Sequence, residues 1–189
     1  MTDAPIFDSD AWRLTDQERQ LTAQARELGE TRFADRASRY DREAKFPIEN
    51  YRDFHDAGLL GICIPGEYGG HGANLRTYAL TAAEVGRYCG STALTWNMHV
   101  CSCLWSGTMA DDLEMDRAVR ERHHETRSVH YRRILEDGAI YSQPFSEGGS
   151  AAAGAVAFST TAVRCDGGWI IRGKKIFASL SGNADYYGT

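Results

Sequence analysis

The spacing of apolar residues changes period once along this chain, at Gly138. Before that point apolar side chains recur at helical intervals among charged ones, the pattern of helices that bury one face. After it, Ala155 to Val163 is rich in residues that suit strands. Asp166-Gly167-Gly168 is a strong hairpin turn ahead of Trp169, Ile170 and Ile171, and Arg172 to Lys175 predicts a second turn before Ile176 and Phe177. Helices followed by successive hairpins predict an α+β chain. Residues 1–139 are expected to form an all-helical bundle domain, and residues 140–189 the beginning of an antiparallel β-barrel-like domain. About fifty residues follow Gly138, and one or two hairpins without a covering layer are marginal in water. The second domain is therefore expected to be incomplete and the chain truncated, or dependent on a partner.

The helical part carries its own punctuation. Thr15 and Glu18 have the spacing of a capping box, followed by Leu21, Ala25, Leu28 and Phe33 on one face. Pro47 precedes a short helix with Tyr51, Phe54 and Ala57 inward, ended by Gly58. Ile62 to Ile64 reads as a brief extended element stopped by Pro65, and Gly66, Gly69, Gly70 and Gly72 make the loop that follows. Asn74 caps a helix that buries Tyr78, Ala82 and Val85. The stretch from Ser91 to Leu104 is apolar around most of its circumference, which predicts the central helix of the bundle. Asp111 to Asp137 is helical and highly charged, with a break expected in the weakly periodic HHETRSVH.

Composition narrows the function classes. A net charge of -5 argues against a nucleic-acid surface, which shows itself as a basic stripe. No apolar run approaches the length of a spanning helix, and the acidic N-terminus lacks the form of a signal peptide, so a cytoplasmic protein is expected. Of the five cysteines, Cys101 and Cys103 are closer than a zinc pair and have no second pair; small buried hydrophobes are the better reading. His123 and His124 are adjacent and point to different faces of a helix, a poor arrangement for a metal.

The junction itself, YSQPFSEGGS from Tyr141 to Ser150, has the chemistry of a ligand cleft. Gly148 and Gly149 let a flat group approach main-chain amides, which could also bind a phosphate. Tyr141 offers an aromatic face, Gln143 a donor and an acceptor, and Ser142, Ser146 and Ser150 hydroxyls. A polar interdomain loop is the plainer alternative. The motif is neither a dinucleotide fingerprint nor a P-loop, and no nucleophile elbow surrounds Ser146.

From near Leu14 to its end, the chain resembles the N-terminal half of an acyl-CoA dehydrogenase family flavoprotein. The resemblance rests on FPIENYRDFHDAGLLGICIPGEYGGHG (46–72), AAEVGRYCGSTALTWNMH (82–99), the junction, and FSTTAVRCDGGWIIRGKKIFASLSGNADYY (158–187), in that order. It implies a helical domain and the start of a middle β domain that help to enclose FAD and an acyl-CoA thioester. Carried over, Tyr141, Gln143 and Pro144 flank the isoalloxazine; Gly149 and Ser150 serve the flavin, and Ser150 also the entering thioester. Phe177 and Ser179 press on the ring system. The implied activity is α,β-dehydrogenation in fatty acid metabolism, with an electron-transfer flavoprotein as acceptor and a homo-oligomer at full length. With the glycines aligned, Pro144-Phe145-Ser146 replaces the family's usual Thr/Ser-Glu-Pro; in a shifted register Ser146-Glu147 takes that place. A proline cannot donate a hydrogen bond from its nitrogen.

The reaction needs a general base for a weakly acidic α proton. In the family this carboxylate comes from the C-terminal helical domain, so no catalytic residue is assigned here. Glu147 lies near the cleft, but nothing in the sequence gives it an apolar setting that would tune it, and for Glu67 and Glu84 surface or structural roles are the better reading. The chain alone is expected to hold FAD weakly or not at all, and to be inactive. A flavin-dependent oxidase or monooxygenase on the same fold, and an inactive truncated protein or helical interaction module, are the rivals. Trp96, Met98 and His99 are candidates for the near wall of an acyl pocket, with core packing as the alternative for Trp96 and Met98.

Overall fold

The computed structural model describes residues 12–108, 110–148 and 157–188. Thr15 starts α1 (Asp16–Leu28): its hydroxyl accepts the Glu18 N–H while the Glu18 carboxylate accepts the Thr15 N–H, the reciprocal bonds expected of that spacing. A π-helical turn (Gly29–Phe33) joins α1 to α2 (Ala34–Glu43). The turn lets Tyr88 lie so close to Gly29 that a Cβ there would sit 2.0 Å from its ring. Helix α3 (Ile48–Asp56) follows Pro47 and ends at Gly58, whose φ of +73° is comfortable only without a side chain.

Residues 59–64 run through the interior as turns, where an extended element was expected over Ile62 to Ile64, and the glycine-rich loop that follows returns to the surface with a 3-10 turn at Gly66–Tyr68. Ile62 and Ile64 bond back to Leu59 and Gly61, while Gly72 and Ala73 donate to the Ile64 and Ile62 carbonyls. Four apolar side chains in six residues (Leu59, Leu60, Ile62, Ile64) are at most 1% exposed, so burial rather than strand pairing fixes the path.

Asn74 caps α4 (Leu75–Tyr88) through the Thr77 N–H at 3.0 Å, and α4 packs between α1 and α5 (Gly90–Thr108). The core between them is aromatic: Phe54 stacks on Trp96 at 4.6 Å and meets Phe33 edge-on at 5.1 Å. Helix α5 buries Thr92, Trp96, His99, Val100 and Cys103 but leaves Leu94 63% exposed. It is one-sided rather than central, because its apolar circumference is split between the bundle and an open face. Helix α6 (Arg117–Asp137) is unbroken, against the expected interruption. Arg127 accounts for this: its guanidinium donates to the Gly107 carbonyl, to Asp111 and to His124, supplying through hydrogen bonds what the weak apolar pattern lacks.

Beyond Gly138, β2 (Thr161–Cys165) and β3 (Gly168–Arg172) form the predicted antiparallel hairpin, pairing Val163 with Ile170 and Arg164 with Trp169. The other pair, β1 (Tyr141–Ser142) and β4 (Tyr186–Tyr187), is parallel, whereas only antiparallel pairing was expected. Arg172 to Lys175 does not turn the chain back on β3. It carries it across to the junction, where the Ile176 N–H donates to the Ser146 carbonyl at 2.8 Å. Among the described residues the strands form two separate two-stranded sheets.

Candidate functional site

The junction is anchored from the helical side by a histidine. His99 is fully buried, and its Nδ1 accepts the Tyr141 N–H at 3.0 Å while Nε2 lies 3.1 Å from the Leu60 carbonyl. Both contacts are satisfied by the neutral ring protonated on Nε2. Burial in the core holds the imidazole neutral, moving its pKa from 6.5 to about 4.

The Tyr141 ring turns towards α6 and β4. It stacks on Tyr186 at 4.9 Å, its hydroxyl meets His130 Nδ1 at 2.9 Å, and Arg133 lies over the far ring, 4.6 Å from the Tyr186 centroid. Burial raises the phenol's pKa, with Arg133 opposing, and burial with the nearby Arg133 charge lowers that of His130. On the opposite face of β1, the Ser142 hydroxyl donates to the Ser179 carbonyl at 2.6 Å, which ties the first half of the predicted site to the second.

Gln143 is half-buried between two cavities of about 210 Å³ each. One is lined by Met98, Cys101 and Phe145; the other is largely aromatic, with Ser102, His130, Tyr141, Tyr186 and Tyr187. Pro144 is buried, and Phe177 is 86% exposed with a φ of +54°. Gly149 and Ser150 lie outside the described residues. Of the three wall candidates, Met98 lines the first cavity, Trp96 is stacked in the core and His99 is the buried anchor.

The three carboxylates are engaged to different degrees. Glu84 is buried and paired with Arg26 and Arg87. Glu67 is exposed, 4.0 Å from Arg127. Glu147 is 3% exposed and accepts the N–H and hydroxyl of Ser159, the N–H and hydroxyl of Thr160, and the Lys175 ammonium at 2.9 Å. The hydroxyls of Ser159 and Thr160, then Lys175, hold its carboxyl well below the usual carboxylate range. A base so weakened, with its lone pairs occupied, is poorly suited to take a proton from carbon. Sequence reasoning missed this cluster and the roles of His130 and Tyr186, since every partner is more than ten residues away.

The comparisons with known proteins agree with this architecture. The family model described as "Acyl-CoA dehydrogenase, N-terminal domain" matches residues 15–110. Cyclohex-1-ene-1-carbonyl-CoA dehydrogenase of Syntrophus aciditrophicus is 28% identical over 172 residues, covering 91% of this chain and 39% of that protein. The short-chain specific acyl-CoA dehydrogenase of Clostridium acetobutylicum is 25% identical over 176 residues, covering 93% and 43%. The structure of butyryl-CoA dehydrogenase from Megasphaera elsdenii superposes with a TM-score of 0.72 at 23% identity, over 92% of this chain and 43% of that one. The chain thus spans about two-fifths of the length of these two curated relatives. With its helical matched region, its capped helices and its aromatic core in that frame, this chain belongs to the acyl-CoA dehydrogenase family, in the region of the family's N-terminal domain.

Proposed function

We infer that the chain supplies the N-terminal helical part and the first flavin-facing strands of an FAD-dependent acyl-CoA dehydrogenase. The observation that carries this reading is Gln143, held at the end of β1 between two cavities, in a chain of this family. Its side-chain amide, a donor and an acceptor, borders both cavities, and such a group fits the donor and acceptor edge of an isoalloxazine. The exposed Phe177 ring and the Ser179 hydroxyl, brought beside β1 by the Ser142 bond, fit the same flat heteroaromatic group.

Bound FAD would supply the acceptor for the substrate's β hydride. The residues of this chain would bind and orient. His99 fixes the backbone of Tyr141, and hence the direction of Gln143 two residues on. Gln143 would hydrogen-bond the ring edge, Pro144 and Phe177 would pack against it, and Gly149 and Ser150 would meet the flavin and the thioester. Met98, Cys101 and Phe145 would exclude water from one side of the site. The acceptor of the α proton is assigned outside these 189 residues, as the family resemblance implies; Glu147 and Glu84 are committed to ion pairs, and Glu67 is exposed, 4.0 Å from Arg127. Electrons would leave to an electron-transfer flavoprotein-like partner.

Visible absorbance tests the reading. The 189-residue chain alone is expected to hold little flavin and to turn over no acyl-CoA. The same sequence joined to a polypeptide completing the family's length is expected to hold one flavin per chain and to form enoyl-CoA. Peroxide in place of enoyl product would assign oxidase chemistry, and a completed protein without flavin would remove the reading.

A further inference from the structure

Three segments distant in sequence converge on one carboxylate. The junction itself brings Glu147; the residues entering β2 bring Ser159 and Thr160; the crossover after β3 brings Lys175. Around this contact lie further restraints. Lys175 also donates to the Phe145 carbonyl at 3.4 Å, and its ammonium stands 4.5 Å from the centre of the Phe158 ring. Phe158 meets Phe145 edge-on at 4.9 Å. Gly173 is packed so tightly on Thr160 that a Cβ would fall 2.2 Å from its hydroxyl oxygen.

The consequence is positional. Four residues before Glu147 stands Gln143, and two residues after Lys175 stands Phe177, with Ser179 just beyond. The two segments are also joined by the Ile176 to Ser146 backbone bond and the Ser142 to Ser179 bond. A carboxylate with five donors from two segments is far more than solubility requires, and an ionised acceptor makes each bond stronger than its neutral counterpart. The side chains of Glu147 and Lys175 are 4% and 15% exposed, so solvent competes little for the pair.

We propose that Glu147, clasped by Ser159, Thr160 and Lys175, is a positioning residue that sets the distance between the Gln143 strand and the Phe177–Ser179 segment, and so the width of the slot that receives the flavin ring. The proposal rests on the reading of those residues as flavin contacts. It also gives the atypical QPFSE stretch a role, because the glutamate acts as a structural acceptor instead of reaching the cofactor or the substrate.

The test uses the flavin-loaded native protein, completed to the family's length, with free FAD as the probe. Glu147→Ala and Lys175→Met are each expected to weaken FAD binding about tenfold or more. The double variant should be no weaker than the weaker single one, since both changes open the same clasp. Glu147→Gln keeps a single acceptor oxygen, so it can serve Ser159 or Thr160 but not both, and it should fall between wild type and Glu147→Ala in affinity and in the visible circular dichroism of the bound flavin. Far-ultraviolet helicity should be unchanged, because the clasp lies outside the helical core. Should Glu147→Ala fold poorly, Thr160→Val removes one donor without stranding a buried cation and should weaken binding in the same direction. Wild-type FAD affinity with an unaltered flavin spectrum in Glu147→Ala, or additive losses in the double variant, would overturn the clasp. A completed wild-type protein that binds no flavin would remove this inference together with the functional reading.

Discussion

The His99 imidazole and the Tyr141 backbone are joined by a hydrogen bond of 3.0 Å that spans 42 residues. It connects the buried face of α5 to the first residue of β1, so the helical bundle sets where the candidate site begins. The second ring nitrogen holds the Leu60 carbonyl, and the imidazole thereby staples three segments that share no secondary structure.

This staple predicts a dependence on pH. The folded-state pKa of His99 lies near 4, below its unfolded value of 6.5, so the unfolded chain binds the extra proton. The contribution of the neutral ring is fully present above pH 6.5 and is lost as pH falls towards 4, with no further loss below. The shift corresponds to stability on the order of 3 kcal/mol across that window. Urea titrations at pH 7 and pH 4.5 should show wild type losing most of this amount, while His99→Gln, already destabilised at pH 7, should show a flatter profile. A variant and wild type with parallel profiles would assign the acid sensitivity to another group.

Two glycines four residues apart in the glycine-rich loop should respond differently to the same substitution. A Cβ on Gly70 would fall 2.1 Å from the Ile64 carbonyl oxygen, whereas a Cβ on Gly66 would meet nothing within 4 Å. Backbone cannot move aside as a side chain can, so Gly70→Ala should destabilise by about 2 kcal/mol or more. Gly66→Ala should stay within about 0.5 kcal/mol of wild type. Thermal denaturation of both variants decides it, and equal effects would mean the loop is not held as described.

The β2–β3 hairpin should be the least protected paired element. Val163 and Ile170 share one face, Trp169 lies on the other, and they are 54%, 43% and 62% exposed. With neither face covered, its backbone bonds have little apolar packing to defend them. Amide exchange in the isolated chain should be fast in Thr161–Cys165 and slow around Trp96 and Val100 in α5. Joining the remainder of the family's length should slow the hairpin by orders of magnitude.

What could be read from the sequence divides along the reach of the interactions. The Thr15 capping box, the Asn74 cap, the Gly58 stop and the Asp166–Gly168 turn are set by residues within four positions, and each is found as expected. The unbroken α6 depends on Arg127 reaching Gly107 and Asp111, partners 20 and 16 residues away. The crossing of residues 173–177 to Ser146 and the parallel pairing of Tyr141 with Tyr186 are likewise non-local. Local patterning cannot carry such information, which is why Arg172 to Lys175 reads as a turn although Lys175 closes a buried ion pair. The junction stood out by composition, but the identity of its anchors, His99 and Glu147, came only from tertiary contacts.

Gln143 is the most direct probe of the site. Its amide lies against Gly188, within 4.0 Å of a Cβ built there, and borders both cavities. Gln143→Leu keeps the volume and removes the polar edge, so the fold should be nearly unaffected while a flavin loses one hydrogen bond. The expected result is a five- to tenfold rise in the FAD dissociation constant of the completed protein, about 1 kcal/mol. Gln143→Glu should be worse than Gln143→Leu wherever Gln143 donates to the ring, because a carboxylate only accepts. Fluorescence titration with FAD ranks the three proteins. Tighter binding by Gln143→Leu than by wild type would show the position to be an apolar wall, with the polar contact to the flavin made elsewhere.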